Sequence, residues 1–245
     1  YKRQAFSMAL PFWLRNMALY GGTDFLGLGR HDQVVLGQLR TAEFLAQHGA
    51  AQLVGDFFAT SFRSFWGQFG WMGVLLDTRI YQALAILSAL ALLGFSIWAL
   101  RTWRNRATRP KWQWAGGSLL VASGILTLAA YLWYNTQFVQ HQGRYLFTAL
   151  VPIGLAAALG WREALRRERA WPLAAALLVG AAALRLAGLL PNWPLLMVVV
   201  IAVALAVRWF LPRRLDPFIH ACPYLILVLL DLVSLFLLIV PQLAT

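Results

Sequence analysis

Six apolar stretches of 17 to 22 residues, at 80–100, 113–134, 145–161, 171–190, 193–211 and 223–240, constrain this chain more than any other feature. A bilayer core about 30 Å thick is crossed by about 20 apolar residues in a helix, and only helices or closed barrels satisfy their backbone hydrogen bonds there. The stretches therefore predict six transmembrane helices. Composition agrees, with 60% of 245 residues hydrophobic and 12% charged, against roughly 45–50% and about 25% in soluble domains. A soluble globular enzyme is excluded, and the expected fold class is an all-α integral membrane protein.

The net charge of +12, from 21 Lys+Arg against 9 Asp+Glu, would point to nucleic acid in a soluble protein. Its distribution assigns it to topology instead. Segment 101–111 holds Arg101, Arg104, Arg106, Arg109 and Lys111, the loop after Trp161 holds Arg162, Arg166, Arg167 and Arg169, and Arg208, Arg213 and Arg214 follow the fifth stretch. These 12 of the 21 basic residues fall in alternate loops, and the intervening outer segments hold only Arg144. By the positive-inside rule the basic loops are cytoplasmic, with residues 21–79 and the C-terminus outside. Trp and Tyr residues cluster at span ends, as interfacial anchors do. The expected partners are membrane lipids, not nucleic acid.

The amino end is less regular. Residues 4–20 are apolar but carry Pro11 and Arg15-Asn16, so residues 1–20 are expected to form a short or truncated span that exits near Trp13. Segment 21–79 then reads as an extracytoplasmic loop followed by an amphipathic helix, and 80–245 as the six-helix domain. Within the outer segment, Gly21, Gly22, Gly27 and Gly29 mark turns, and 39–66 reads largely helical. Its stripe Val54, Phe58, Phe62 and Phe65 has helical spacing, opposite Gln52, Asp56, Ser61, Arg63 and Ser64. Such a helix suits either the outer membrane interface or packing on the protein's own spans. The opening Tyr1-Lys2-Arg3 has neither an initiator Met nor a signal-peptide pattern, so the chain is expected to begin within a longer gene product.

Dinucleotide, P-loop and zinc-protease motifs are absent from the sequence, and the lone Cys222 excludes an internal disulfide. No metal site and no cofactor are expected, since a divalent metal would need carboxylates from an upstream loop. His31-Asp32 reads as a capped loop-to-helix transition. Two charges lie inside predicted spans. Arg185, near an outer end, can snorkel to the interface. Asp231, near mid-span, calls for a partner or marks a polar pathway, with Arg185 as one partner.

Polar and aromatic groups gather on the predicted outer face. They include Trp13 to Asn16, Tyr20 to Asp24, Ser64 to Trp71 and Gln140 to Tyr145. An arginine at the head of a span, here Arg144 beside Gly143 and Tyr145, can hold a lipid phosphate in bidentate fashion or act as an ordinary interfacial arginine.

Pro11-Phe12-Trp13-Leu14-Arg15-Asn16 followed by Tyr20-Gly21-Gly22-Thr23-Asp24 resembles the span exit and outer loop of polytopic bacterial glycosyltransferases of the GT-C type. Ser64-Phe65-Trp66-Gly67-Gln68-Phe69-Gly70-Trp71 and Gln142-Gly143-Arg144-Tyr145-Leu146-Phe147 resemble two signatures of a related bacterial family of predicted membrane proteins of unknown function. The resemblance covers about residues 10–160, in order. It implies a multi-pass protein of the bacterial cytoplasmic membrane that transfers a sugar from a polyprenyl-phosphate donor at the outer face. It implies candidate lipid-phosphate or substrate-binding roles for Arg15, Asn16, His141, Arg144 and Tyr145, with Trp66 and Trp71 as aromatic walls. The first outer loop, which carries the catalytic carboxylate in such enzymes, has no counterpart here, so the chain resembles a carboxy-terminal part and its catalytic residues are unassigned. The alternative is a non-catalytic accessory subunit of a membrane complex, favoured by small-residue runs at 156–158 and 174–176 that allow close helix packing. A transporter built on Asp231 is the third reading.

Overall fold

The computed structural model describes residues 2–35, 37–69, 72–108 and 110–243. Helices dominate: α1 (Lys2–Tyr20), α2 (Leu28–Val34), α3 (Thr41–Trp66, kinked where Gly49 leaves helical geometry), α4 (Thr78–Arg104), α5 (Lys111–Gln137), α6 (Leu150–Ala164), α7 (Arg167–Leu186), α8 (Asn192–Arg208), α9 (Asp216–Val233) and α10 (Val240–Leu243). A 3-10 segment, Gly143–Ala149, leads into α6, and a π-helical segment, Ser234–Ile239, joins α9 to α10. Extended structure among the described residues comprises an antiparallel pair of two-residue strands, β1 (Gln68–Phe69) and β2 (Val74–Leu75), and an isolated bridge between Arg40 and Phe138.

Five helical stretches are long and apolar enough to cross a membrane: Thr78–Arg104, Lys111–Gln137, Gly143–Ala164, Arg167–Leu186 and Arg213–Gln242. They coincide with five of the six predicted spans. The sixth, expected over 193–211, is instead the 17-residue helix α8. At 1.5 Å per residue it is about 26 Å long, because Trp209 and Phe210 turn away ahead of Pro212, so among the described residues five helices, not six, reach the length expected of a span and α8 is a shorter apolar helix. The amino end also differs. α1 is a single helix of 19 residues, Lys2–Tyr20, with Pro11 inside it, and it continues beyond Trp13 to Tyr20. Proline removes one rung of the backbone ladder, and the helix continues on both sides of it.

The chain divides into two compact units. The first comprises Tyr1–Leu53 and Tyr134–Gln140. In it the Asn16 side chain, buried, donates to the Phe25 carbonyl at 3.1 Å and ties the end of α1 to the following loop. Arg40 pairs with Asp32 at 2.7 Å and lies 4.5 Å over the Phe138 ring. Thr41 donates to the Asn135 carbonyl at 2.8 Å. Asp32 is therefore not the expected helix cap. It lies inside α2, and the Asp24 carboxylate instead accepts from the Arg30 amide at 2.8 Å. That hydrogen bond, with help from the neighbouring amides, holds the Asp24 carboxyl below the usual carboxylate range.

The second unit, Val54–Trp133 and His141–Thr245, contains the main core. Leu90 of α4, Ala164 of α6, Leu173 and Ala174 of α7, and Ala202 and Leu205 of α8 pack together. The small residues let backbones approach. A Cβ on Gly160 would collide with the Ala91 carbonyl, and one on Gly94 would collide with the Gly160 carbonyl. This is the close packing that small residues permit between membrane helices. Trp161 locks the same crossing, its indole N–H donating to the Leu87 carbonyl at 3.0 Å. Elsewhere large apolar residues face outward, including Leu92, Leu119, Leu126, Val151, Val179 and Leu229. Apolar surface this continuous requires lipid or protein cover.

Candidate functional site

In the second unit, the ends of the helices sort the polar groups into two clusters. The first lies at the start of α4. Asp77 caps that helix by accepting from the Arg79 amide at 2.8 Å. Tyr81, one turn on, donates to the Gly67 carbonyl at 2.6 Å and accepts from the Leu76 amide at 3.1 Å, fastening the end of α3 and the β-hairpin to α4. Trp193 of α8 joins the same end, with the Arg79 guanidinium 5.2 Å from its ring.

Two of the sequence motifs meet here. The Gly143 amide, buried, donates to the Ser64 hydroxyl at 2.6 Å. Only glycine allows it, since a Cβ on Gly143 would collide with the Ser61 carbonyl and come within 2.8 Å of Phe65. Ser61 shares a 2.5 Å hydrogen bond with the Tyr131 hydroxyl. Ser61 and Ser64 of α3 thus pack, together with the later half of the apolar stripe, where Phe62 and Phe65 are half-buried and Phe65 is edge-on to Phe147 at 5.6 Å, whereas Val54 and Phe58 are exposed.

The predicted site residues have different fates. His141 is buried, edge-on to the Phe57 ring at 5.3 Å. Burial lowers its pKa, against a smaller opposing pull from Asp56, so the imidazole is neutral near pH 7. Arg144 is exposed, its guanidinium 5.9 Å from the Tyr145 ring centre. Trp66 is half-buried and edge-on to Phe65 at 5.5 Å. His141, Arg144, Tyr145 and Trp66 therefore belong to one unit. Arg15 and Asn16 belong to the other and divide, with Arg15 exposed and Asn16 buried. Trp71 lies outside the described residues.

Of the two charges inside predicted spans, Arg185 sits in the last turn of α7 and donates to the Leu190 carbonyl at 3.0 Å. That is the behaviour of a helix-end arginine. Asp231 is exposed on α9, and no ion pair joins it to Arg185 among the described residues.

The second cluster, at the far end of α4, was read in the sequence only as topology. Glu163, its side chain 3% exposed, lies 3.1 Å from Arg101, 3.1 Å from Arg166 and 3.8 Å from Arg169. Arg208, also 3% exposed, pairs with Asp216 at 2.7 Å. A cavity of about 580 Å³ opens among these residues. Two acids in an arginine-rich stretch, Glu163 beside Arg162 and Glu168 between Arg167 and Arg169, are the available signal, because a buried carboxylate demands cationic partners. Among the described residues no group of three or more His, Cys, Asp and Glu side chains converges.

No protein-family model, curated protein or solved structure matches the chain.

Proposed function

We propose that this is a multi-pass protein of the bacterial cytoplasmic membrane, similar to GT-C glycosyltransferases, that engages a polyprenyl-phosphate-linked sugar at the outer face. The observation that supports it is the contact between Ser64 and Gly143, which brings the Ser64–Trp66 motif against the Gly143–Tyr145 motif. The contact fixes the backbone beside Arg144, the one Lys or Arg between the end of α5 and the start of α6. An arginine so placed offers a lipid phosphate two parallel N–H donors at headgroup depth. His141, buried and neutral, supports the loop in this reading. The catalytic base is not assigned.

The test uses the intact protein reconstituted in nanodiscs. Binding of a polyprenyl-phosphate-linked sugar is followed by native mass spectrometry, and sugar transfer by product analysis. Arg144→Ala is expected to weaken carrier binding roughly tenfold to a hundredfold, the loss of charge-assisted hydrogen bonds worth about 1.5–3 kcal/mol. Unchanged binding and transfer would overturn the assignment.

A second reading, a non-catalytic subunit of a larger membrane assembly, is favoured by α5. Its most apolar 18-residue stretch is only 6% buried, leaving a helix surface open to a partner as well as to lipid. Purification from native membranes as a stable lone monomer would contradict this reading.

A further inference from the structure

The cavity at the arginine-rich end of the second unit has a chemistry that the reading above does not use. It lies where α4, α6, α8 and α9 end or begin, and six arginines (Arg101, Arg162, Arg166, Arg167, Arg208 and Arg213) line it against three carboxylates (Glu163, Glu168 and Asp216). Each carboxylate has an arginine partner, Glu163 through Oε2 with Arg101 and Arg166, Glu168 with Arg166 at 3.5 Å, and Asp216 with Arg208, while the buried Oε1 of Glu163 lies 3.8 Å from Arg169 and has no hydrogen-bond partner among the described residues. Three positive charges remain uncompensated. Arg162 and Arg213 make no ion pair among the described residues.

Arg208 shows that the excess is built and not merely a solvated basic surface. Its Nε donates to the Leu165 carbonyl at 3.3 Å and its Nη2 to Asp216 at 2.7 Å, so the guanidinium plane is held by two acceptors, one just past the end of α6 and one at the start of α9. The remaining Nη1 is buried and has no hydrogen-bond partner among the described residues. The buried Nδ1 of His220, on the same wall, has none either. Buried polar atoms are almost always satisfied in folded proteins, so an orphan nitrogen on an arginine that lines a cationic cavity calls for an acceptor, which an anion in the cavity supplies once the guanidinium turns toward it.

We propose that this cavity binds a phosphate-bearing anion, with Arg208 as the fixed donor and Arg162 and Arg213 as the closing charges. A volume of about 580 Å³ exceeds what a bare phosphate fills and falls within the range of small-molecule sites. Basic pockets between helix ends at the cytoplasmic face suit phospholipid headgroups. A soluble phosphate ester has the same chemistry.

The test separates these sources. The full chain in neutral detergent is titrated with inorganic phosphate at constant ionic strength, and in parallel placed in phosphatidylcholine nanodiscs with and without about one-fifth phosphatidylglycerol. Thermal midpoint and native mass spectrometry are the readouts. A rise in midpoint with phosphatidylglycerol alone identifies a lipid headgroup, and a rise with phosphate alone a soluble ester; either supports the site. The double variant Arg162→Gln/Arg213→Gln alters two exposed side chains and should fold normally. It is expected to weaken binding about 25-fold, roughly fivefold for each half-exposed charge contact. Arg208→Lys keeps the charge, removes the third donor, and should weaken binding further. The control Arg104→Gln/Arg106→Gln removes two charges from the same end but outside the cavity and should leave binding within twofold. No stabilisation by either probe, or equal weakening by the control pair, would overturn the proposal.

Discussion

Gly160→Ala is the smallest change that tests how α4 and α6 pack. The added Cβ would collide with the Ala91 carbonyl oxygen and lie 2.7 Å from its carbon and 3.1 Å from its Cα. Non-bonded carbons sit at about 3.5 Å or more, so the helices must separate by about 1 Å. Every obstacle is backbone, which cannot rotate away, and the crossing carries the buried Leu90 and Ala164 of the main core. Overpacking of this kind costs about 1–3 kcal/mol, here at the upper end, and alanine returns up to about 1 kcal/mol of helix propensity. The net loss is about 2 kcal/mol, or a fall of roughly 4–8 °C in thermal midpoint for a chain of this size. Gly154→Ala, on the same helix with nothing within 4 Å of its Cβ position, is the control. It should keep or raise the midpoint. Both variants are compared by thermal unfolding in mild detergent. Gly160→Ala melting at or above Gly154→Ala would refute the close crossing, as would rescue by Ala91→Gly, which removes no atom of the clash.

Other outcomes follow from the two clusters. Glu163→Gln should lower stability by about 1–2 kcal/mol, read as a fall in thermal midpoint, since its arginine partners are 39–43% exposed and water takes over part of their charge; an unchanged midpoint would contradict the buried network. Because burial lowers the His141 pKa below its unfolded value, its contribution to stability is fully present above about pH 6.5 and is lost as pH falls below it. Thermal melts from pH 7.5 to 5.5 should therefore show a larger loss for the wild type than for His141→Gln, and parallel losses would contradict the burial. Asp231→Leu replaces an exposed carboxylate amid apolar neighbours on α9 and should leave stability unchanged or raise it. A loss above about 1 kcal/mol would mean that the carboxylate has a partner within the chain.

The long apolar helices were legible because twenty or so apolar residues in a row have few other solutions. The shortening of α8 was not, since Val198 and Val207 read alike in a 17-residue or a 19-residue span, and the turn after Arg208 is set by its bonds to Leu165 and Asp216. The Asp24 cap was missed because Asp32 stands next to a histidine and looks more conspicuous, whereas the αL backbone of Gly27 decides where α2 starts. The meeting of Ser64 with Gly143 joins residues 79 apart, so the motifs were visible singly and their contact was not. The arginine cavity was hidden in plain view, because charges that orient a membrane protein and charges that line a pocket have the same composition.

Arg79 and Arg101 bracket α4 with 22 residues between their numbers, about 33 Å of helix, close to the thickness of a bilayer core. The orientation proposed from the basic loops has the Gly143 and Trp193 end outside and the Glu163 end inside. Single cysteines at Asn192 and Thr108, both exposed, in a Cys222→Ser background test it in intact cells with a membrane-impermeant thiol reagent. The account predicts labelling of Asn192→Cys in intact cells and of Thr108→Cys only after permeabilisation. The reverse pattern, or equal labelling of both in intact cells, would contradict it.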